Sequence, residues 1–533
     1  MKHKQLLLGD EAFALGAINA GLSGAYAYPG TPSTEILEYI QSNPVAKARS
    51  IHSHWSSNEK TAVESALGMS YCGKRAIASM KHVGLNVAAD PFVNSAMTGA
   101  NGGLIVVAAD DPSMHSSQNE QDSRFYGSFA LVPVLEPSNQ QEAYDMAAYG
   151  FELSEKYAIP VLMRFVTRLS HSRAVVETDT EAAPENELHA PANPSQWVLM
   201  PGNSRRRYPQ LIACYESLKA ASDESPFNSY IDGSNHSMGI VASGIAFNYV
   251  QEAFEGNCPY PVVKISQYPL PVNMLKKLAE ECERIVVIEE GQPFIEHELL
   301  GLGTPVGAIE GKYTGWMPRT GELTVDNIRR AFSLKQPVIT PAPQIVMPRP
   351  PALCQGCGHR DVYNALNKAL ADYPNSRVFG DIGCYTLGYL SPFHAIHTVV
   401  DMGASITMAK GASEGGVHPA VAIIGDSTFT HSGMTGLLDA INENSNITVI
   451  ISDNLTTGMT GGQDSQGTGK LRDICLGLGA NPEHTLCIDS LPKNVPDMET
   501  LFRREIEYHG LSVIISAREC IQTARRHAKT KKS

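Results

Sequence analysis

The sequence predicts an α/β protein built from three doubly wound parallel sheets. Strand-like apolar runs alternate with helix-like amphipathic stretches along the chain, which is typical of parallel sheets covered by helices on both faces. Two irregular passages interrupt this alternation, and 533 residues provide material for about three domains. We therefore expect domains over residues 1–180, 200–335 and 350–520, followed by a basic tail over 521–533.

The first segment contains four apolar runs that we interpret as strands, at residues 24–28, 76–80, 103–109 and 161–164. A helical pattern over 58–72 lies between the first two, and Gly73 follows it as the expected C-cap. An acidic, proline-rich passage (177–194) and the basic triplet 205–207 come next. We expect both to be linker and surface.

The second and third segments repeat the alternation on either side of a linker rich in proline (337–351). In the third segment, apolar runs at 420–425 and 447–453 flank a helix-like stretch at 432–442, which predicts a βαβ unit. The second segment has strand-like runs at 239–243, 262–265 and 284–289.

Composition excludes several classes of protein. A net charge of -13 makes nucleic acid an unfavourable partner, and the basic tail is expected to be a solvated terminus. No apolar run approaches the length of a membrane span, and no signal peptide is recognisable, so we expect a soluble protein. Ten scattered cysteines favour a reducing cytoplasm over a disulfide framework.

Polar residues follow both strands of the predicted βαβ unit. Gly425-Asp426-Ser427 ends the first, and Asn454 follows the second. Ligands bind at the carboxyl ends of parallel strands, and Mg²⁺ prefers hard oxygens such as carboxylate, amide and carbonyl groups. We therefore predict that Asp426, Asn454 and the Thr456 carbonyl bind Mg²⁺. The spacing matches the diphosphate motif of thiamine-diphosphate enzymes.

A glycine-rich turn, Gly380-Asp381-Ile-Gly383-Cys384, follows another strand-like run. Its amides can approach a phosphate closely because glycine has no side chain, so we place these residues at the cofactor. The alternative is that the glycines only form a turn.

The segment from Cys354 through Gly356 and Cys357 to His359 allows three interpretations. A closed zinc site needs four ligands, and no second CxxC or HxxxH accompanies this one. A redox pair of the thioredoxin type lacks the expected position after a first strand. We favour a turn that lines the cofactor pocket, with His359 near the diphosphate or the substrate.

A thiamine site also needs a carboxylic acid beside the aminopyrimidine ring, and Glu59 at the start of a helix is the best candidate. Glu64 competes for this role, and the helix dipole alone explains an acid in the first turn. The stretch from Tyr28 to Ser33 allows two interpretations. It serves only to end a strand and cap a helix, or its Thr31 hydroxyl faces the substrate.

Several long motifs resemble the alpha subunit of indolepyruvate:ferredoxin oxidoreductase. Those of its pyrimidine-binding domain lie at 28–33, 58–60, 80–86 and 110–122. Those of its diphosphate-binding domain lie at 353–360, 380–385, 425–427 and 459–463, including Met459. The residues at 289–296 and 321–323 resemble its transketolase-C-like middle domain. The resemblance covers nearly the whole chain in one order.

This resemblance implies oxidative decarboxylation of an aryl 2-oxoacid with coenzyme A, through a hydroxyalkyl-thiamine intermediate. It implies that Glu59 is the pyrimidine acid and that Thr31 and His82 lie on the substrate side. It also implies a homodimer of this chain within a hetero-oligomer that contains a smaller beta- or gamma-type catalytic subunit.

The sequence departs from the family in one respect. Ferredoxin-reducing members continue into a domain with two iron–sulfur clusters, and no C-x-x-C-x-x-C-x-x-x-C-P run is present here. We therefore expect no iron–sulfur cluster on this chain and a separate ferredoxin-like electron carrier. Two alternatives stay open: a non-oxidative decarboxylase or carboligase, and a non-catalytic scaffold subunit.

Overall fold

The computed structural model describes residues 2–301 and 309–530. The chain forms two compact units, Met1–Thr340 and Pro341–Ser533. The boundary lies within the predicted proline-rich linker. In the described residues, no helix combines the length and apolar character needed to cross a membrane.

The main sheet of the first unit has seven strands in the described residues, and all but one edge strand run parallel. In spatial order they are Gln267–Tyr268, Val134–Leu135, Val161–Val166, Leu104–Asp110, Ala76–Lys81, Gly24–Ala27 and His52–Trp55. The antiparallel edge strand comes from the second predicted segment, so the first two segments share this sheet.

The second sheet of this unit contains the strands predicted in the second segment, and it has one antiparallel edge. Its described strands are, in spatial order, Ile309–Glu310, Ile285–Ile288, Gly239–Ser243, Val262–Ile265 and Ser229–Ile231. A separate antiparallel pair joins Lys2–Leu8 to Arg173–Asp179.

The sheet of the second unit is parallel throughout its described strands. In spatial order they are Thr398–Val399, Arg377–Gly380, Ala420–Gly425, Thr448–Asp453, Ser512–Ala517 and Thr485–Asp489. A short antiparallel hairpin joins Thr456–Thr457 to Gln463–Asp464.

Helices connect the strands in both units. In the first unit they are Gly9–Asn19, Thr34–Ser42, Pro44–Ala48, Glu59–Tyr71, His82–Val87, Ala89–Thr98, Arg124–Ala130, Gln140–Tyr157, Thr167–His171, Pro201–Asp223, Ile245–Ala253, Val272–Glu281, Phe294–Gly301 and Val325–Ala331. In the second unit they are Gly358–Ala369, Ala404–Glu414, Asp426–Thr428, Met434–Asn442, Leu471–Gly477, Val495–Glu507 and Ile521–Thr530.

The central strands are buried on both faces, as the predicted doubly wound class requires. Alternate residues of Ala420–Gly425 enter different hydrophobic cores: Val421 and Ile423 join one, and Ala422 and Ile424 join the other. Successive side chains of a strand point to opposite faces, so helices cover both sides of this sheet. The prediction of α/β architecture with parallel sheets is confirmed.

The basic triplet at 205–207 is not linker. It lies in the helix Pro201–Asp223, in which only Leu211, Leu218 and Ser222 are buried. A helix that is polar on almost every face shows no apolar stripe, which is why the sequence pattern did not reveal it.

Buried ion pairs cross the first unit. Arg124 and Arg164 have no exposed surface. Arg124 lies 2.5 Å from Asp122 and 2.9 Å from Glu289, and Arg164 lies 2.6 Å from Asp110. These ion pairs connect the loop after Leu104–Asp110 to the turn after Ile285–Ile288. Both segments belong to the motifs at 110–122 and 289–296 described above.

Candidate functional site

Asp426 and Asn454 lie at the same edge of the second unit's sheet. Each directly follows its strand, and the two strands are adjacent and parallel, with Gly425 level with Ser452. The hydroxyl groups of Ser427 and Thr457 lie 2.9 Å apart and connect the two segments beyond the strand ends. The sequence-predicted neighbours are therefore neighbours in space.

The Asp426 carboxyl group is buried and incompletely satisfied. Its residue is 2% exposed, and its Oδ2 atom has no hydrogen-bond partner in the described residues. Burial, followed by the charge of Asp453, raises the pKa of Asp426 to about 7. A buried carboxylate without a counter-charge is costly, and a bound cation would remove that cost.

The residues after the second strand present oxygen atoms beside it. The Asn454 amide oxygen accepts a hydrogen bond from the Thr456 backbone N–H at 3.1 Å and keeps a second lone pair. Leu455 turns the chain with a φ of 62°, and the Thr456 hydroxyl donates to the Gln463 carbonyl at 2.9 Å. Met459, also predicted here, is 58% exposed.

This donor set fits Mg²⁺ better than a transition metal. In the part of the chain that the structure describes, no three His, Cys, Asp or Glu side chains converge on a single ion. One carboxylate, one amide and one carbonyl oxygen leave room for water and phosphate oxygens, which is how Mg²⁺ is commonly held.

His359 lies against this edge of the sheet. The residue is buried, its Nδ1 is 2.7 Å from the Ser452 hydroxyl, and its Nε2 is 3.5 Å from the Asn454 amide nitrogen. The amide nitrogen can only donate, so Nε2 accepts and Nδ1 carries the proton. Burial lowers the pKa of His359 to about 4, so the imidazole is neutral.

Four cysteines line one pocket of about 100 Å³ in the second unit. Cys354 and Cys357 face the same space as Cys384 and Cys520, beside His359. Burial raises the pKa of Cys384 to about 12 and also raises that of Cys357. The sequence interpretation missed this grouping because it considered only cysteines that are close in sequence.

Gly356 and Cys357 shape the turn that opens this pocket. Gly356 has a φ of 80°, and Cys357 precedes the helix Gly358–Ala369. The Cys357 backbone N–H donates to the Cys354 carbonyl at 3.1 Å. The turn lines a pocket, and its position at the cofactor stays a prediction.

Each predicted residue of the glycine-rich turn makes a contact within the second unit. The Asp381 carboxylate accepts hydrogen bonds from the Ser405 backbone N–H at 2.6 Å and from its hydroxyl at 2.5 Å. A Cβ atom on Gly383 or Gly425 would lie 2.5 or 2.7 Å from the Tyr385 ring, and one on Gly380 would lie 2.9 Å from Ile396. Of the residues in this turn, Cys384 lines the pocket formed by the four cysteines, which we call the thiol pocket.

In the first unit, Glu59 begins the helix Glu59–Tyr71 and is 6% exposed. Its carboxylate lies against Gly84: a Cβ atom there would be 2.5 Å from its Oε1. Glu64 instead forms an exposed ion pair with Lys60. Burial therefore favours Glu59 over Glu64, because a functional acid needs a controlled environment.

Lys81 and His82 lie at the end of the strand Ala76–Lys81. The Lys81 ammonium donates to the Ser116 carbonyl at 2.6 Å, and burial lowers its pKa to about 8. His82 is 1% exposed and its Nε2 is 3.1 Å from the Asn119 carbonyl, so Nε2 donates. Its Nδ1 atom is buried without a partner in the described residues.

The loop that contains Thr31 lies beside Lys81. A Cβ atom on Gly30 would lie 3.1 Å from the Lys81 Cβ atom. The Ser33 hydroxyl donates to the Gly30 carbonyl at 2.8 Å rather than capping the following helix. Thr31 itself is partly exposed.

Two family models match the chain. "Pyruvate flavodoxin/ferredoxin oxidoreductase, thiamine diP-bdg" matches residues 15–222. "Thiamine pyrophosphate enzyme, C-terminal TPP binding domain" matches residues 381–483. The first match includes Glu59 and Lys81, and the second includes Asp426 and Asn454.

Two similar proteins are called indolepyruvate oxidoreductase subunit IorA. Those of Archaeoglobus fulgidus and Methanothermobacter marburgensis are 37% and 38% identical to this chain. Each alignment covers 97% of this chain and 86% of the relative. The 2-oxoglutarate synthase subunit KorA of Methanothermobacter thermautotrophicus is 27% identical over 32% of this chain and 47% of that protein.

A solved structure of 2-oxoglutarate:ferredoxin oxidoreductase from Magnetococcus marinus is also similar, with a TM-score of 0.48 and 18% identity. The match covers 62% of this chain and 65% of that one. That structure contains 2-oxoglutarate, coenzyme A and succinyl-CoA.

Proposed function

The chain belongs to the family of the indolepyruvate oxidoreductase subunit IorA, and from that premise we propose that it oxidatively decarboxylates an aryl 2-oxoacid. It is a subunit of a thiamine-diphosphate-dependent 2-oxoacid oxidoreductase. The proposed reaction converts R–CO–COO⁻ and coenzyme A to R–CO–S-CoA, CO₂, H⁺ and two electrons. The buried, unpaired Asp426 oxygen at a strand end is the structural observation that supports the cofactor site, and the two IorA relatives support the 2-oxoacid chemistry.

The second unit would hold the diphosphate. In this proposal Asp426, Asn454 and the Thr456 carbonyl would hold Mg²⁺, which would neutralise negative charge of the diphosphate. The cation would sit beside the unpaired Oδ2 of Asp426 and would relieve the cost of burying its charge. Neutral His359 contacts Asn454 and keeps its amide in place.

When bound, thiamine diphosphate would supply a carbon nucleophile for the 2-oxo carbon and a thiazolium ring that takes up the electron pair left by decarboxylation. We assign Glu59 to the proton transfer that generates this nucleophile. A buried carboxyl group can share a proton with a ring nitrogen, and the position of Glu59 against Gly84 fixes its orientation.

Lys81 is the residue best suited to bind the substrate carboxylate. Its ammonium is charged below pH 8, it is 8% exposed, and its contacts with Ser116 hold it in one place. A charge-assisted hydrogen bond in a buried site is strong. His82 keeps an unpaired acceptor nitrogen, and Thr31 is partly exposed; we assign both to the substrate side.

The electrons need a route away from the site. The expectation of a chain without an iron–sulfur cluster rested on the missing C-x-x-C-x-x-C-x-x-x-C-P run, but Cys384 and Cys520 line the same pocket as Cys354 and Cys357. Four cysteines are the usual ligands of a 4Fe–4S cluster, in which each thiolate would hold a different iron, so the four sulfur atoms need not meet at one point. We propose these four residues as cluster ligands.

The remaining partners follow from the proposed reaction. A subunit of an oxidoreductase acts with other subunits, and we propose a smaller catalytic subunit, a homodimer of this chain and a separate ferredoxin-like carrier. Ten free cysteines support a cytoplasmic location.

A comparison of substrates tests the aryl assignment. The chain assembled with its partner subunit is supplied with coenzyme A, methyl viologen and either indolepyruvate, phenylpyruvate, pyruvate or 2-oxoglutarate. We expect aryl substrates to exceed the others about tenfold or more in kcat/KM, because burying an aryl side chain removes more apolar surface from water than burying a methyl group. A clear preference for pyruvate or 2-oxoglutarate would refute the aryl assignment alone.

A further inference from the structure

The helix Ile521–Thr530 begins directly after Cys520 and forms one wall of the thiol pocket. Ile521 and Gln522 line the pocket, and the Gln522 amide nitrogen lies 3.5 Å from the Cys354 sulfur. Thr523 is buried against the body of the second unit. The helix is therefore packed in place beside the four thiols.

The opposite side of this helix is basic and exposed. Arg525, Arg526 and His527 are all exposed. Arg526 donates to the Gly461 carbonyl, and His527 pairs with Glu519 at 3.2 Å. Arg525 makes no ion pair or side-chain hydrogen bond within the described residues, so its charge is available to a partner.

The positive charge of this helix contrasts with the net negative charge of the whole chain. The chain carries a net charge of -13, whereas the sequence from 518 to 532 contains six Lys and Arg residues and one acid, Glu519. A concentrated positive region on an acidic protein attracts anionic partners and orients them during encounter. Arg525 and Arg526 of this region lie on the helix that lines the thiol pocket, from which we propose that electrons leave.

We infer that the basic helix Ile521–Thr530 is the docking surface for an acidic iron–sulfur electron-carrier protein. This inference rests on the proposed function. Electron transfer needs a brief, close approach to the thiol pocket, and such encounters use small interfaces. Charge complementarity supplies the on-rate and the orientation without tight binding. The thiol pocket beside the helix favours an electron carrier over nucleic acid. Nucleic acid would contact only the positive charges and would have no need of the pocket.

Charge reversal at Arg525 separates docking from chemistry. The probe is an acidic bacterial ferredoxin with two 4Fe–4S clusters, reduced by the holoenzyme at low salt. We expect Arg525→Glu to raise the KM for ferredoxin about tenfold, with the difference vanishing in about 0.5 M salt. The rate with methyl viologen, a small dication, stays at the wild-type value. Arg205→Glu, at another exposed arginine, is the matched control and leaves both rates unchanged.

The outcomes distinguish the two proposals. An unchanged KM for ferredoxin in Arg525→Glu, with normal methyl viologen reduction, would overturn the docking inference alone. A wild-type enzyme that reduces neither acceptor would contradict the proposed function and the docking inference together. Binding of a labelled oligonucleotide that Arg525→Glu abolishes, with unchanged ferredoxin kinetics, would assign the helix to nucleic acid instead.

Discussion

Gly84→Ala should displace the proposed acid Glu59 without unfolding the protein. The added Cβ atom would lie 2.5 Å from Oε1 and 2.6 Å from Cγ of Glu59, whereas ordinary contacts begin at 3.4 Å. The carboxylate must therefore move by about 1 Å. Gly84 lies in the helix His82–Val87, where alanine is more favourable than glycine by roughly 0.5–1 kcal/mol. The fold is thus expected to tolerate the change.

A shift of this size in a catalytic group lowers rates by about 100-fold. The assay is exchange of the thiazolium proton of bound thiamine diphosphate with deuterium, followed by NMR after acid quench. Calorimetry on the same variant should show cofactor binding within about threefold of the wild type, because the diphosphate contacts we propose lie at Asp426 and Asn454.

Gly68→Ala is the matched control, since a Cβ atom on Gly68 in the helix Glu59–Tyr71 has no heavy atom within 4 Å. It should exchange at the wild-type rate. Wild-type exchange in Gly84→Ala as well would refute the assignment of Glu59, because the acid could not be both displaced and fully active.

Three further predictions test other parts of the site. Asp426→Ala should abolish calorimetric binding of thiamine diphosphate with Mg²⁺, while the exposed Asp473→Ala should bind normally; retained affinity in Asp426→Ala would refute the metal assignment. Lys81 loses its charge as pH rises through about 8, so the KM for the 2-oxoacid should rise above that pH and stay flat to pH 9 in Lys81→Arg. Identical pH profiles would contradict this role. Anaerobically purified protein should contain about four irons per chain and lose them in Cys384→Ser but not in Cys214→Ser. An iron-free wild type would restore the expectation of a chain without a cluster.

The local signals in the sequence were sufficient for the central parallel strands and for placing Asp426 and Asn454 at strand ends. Apolar runs mark buried parallel strands, and a polar residue directly after such a run must lie at the sheet edge. The same logic could not decide between Glu59 and Glu64, which lie in one helix. Only tertiary packing distinguishes the buried acid from the one paired with Lys60 at the surface.

Contacts between distant segments were beyond the sequence pattern. Cys384 and Cys520 reach the pocket of Cys354 because the ends of different strands meet at one edge of the sheet, and sequence spacing carries no record of this. The edge strand Gln267–Tyr268 was missed because two residues give no periodicity.

The buried arginines gave no signal in the sequence. Arg124 and Arg164 lie in the core only because carboxylates from remote segments surround them. A charged residue is normally predicted to be at the surface, and the exception depends on partners that the local sequence does not identify.

The ratio of electrons to carbon dioxide tests the central claim most directly. The holoenzyme is supplied with 1-¹³C-labelled indolepyruvate, coenzyme A and methyl viologen, and labelled CO₂, acyl-CoA and reduced viologen are measured together. Oxidative decarboxylation predicts two reduced viologens and one acyl-CoA for each CO₂ by the balance of the proposed reaction. Release of CO₂ with an aldehyde product and no viologen reduction would contradict it and would identify a non-oxidative decarboxylase.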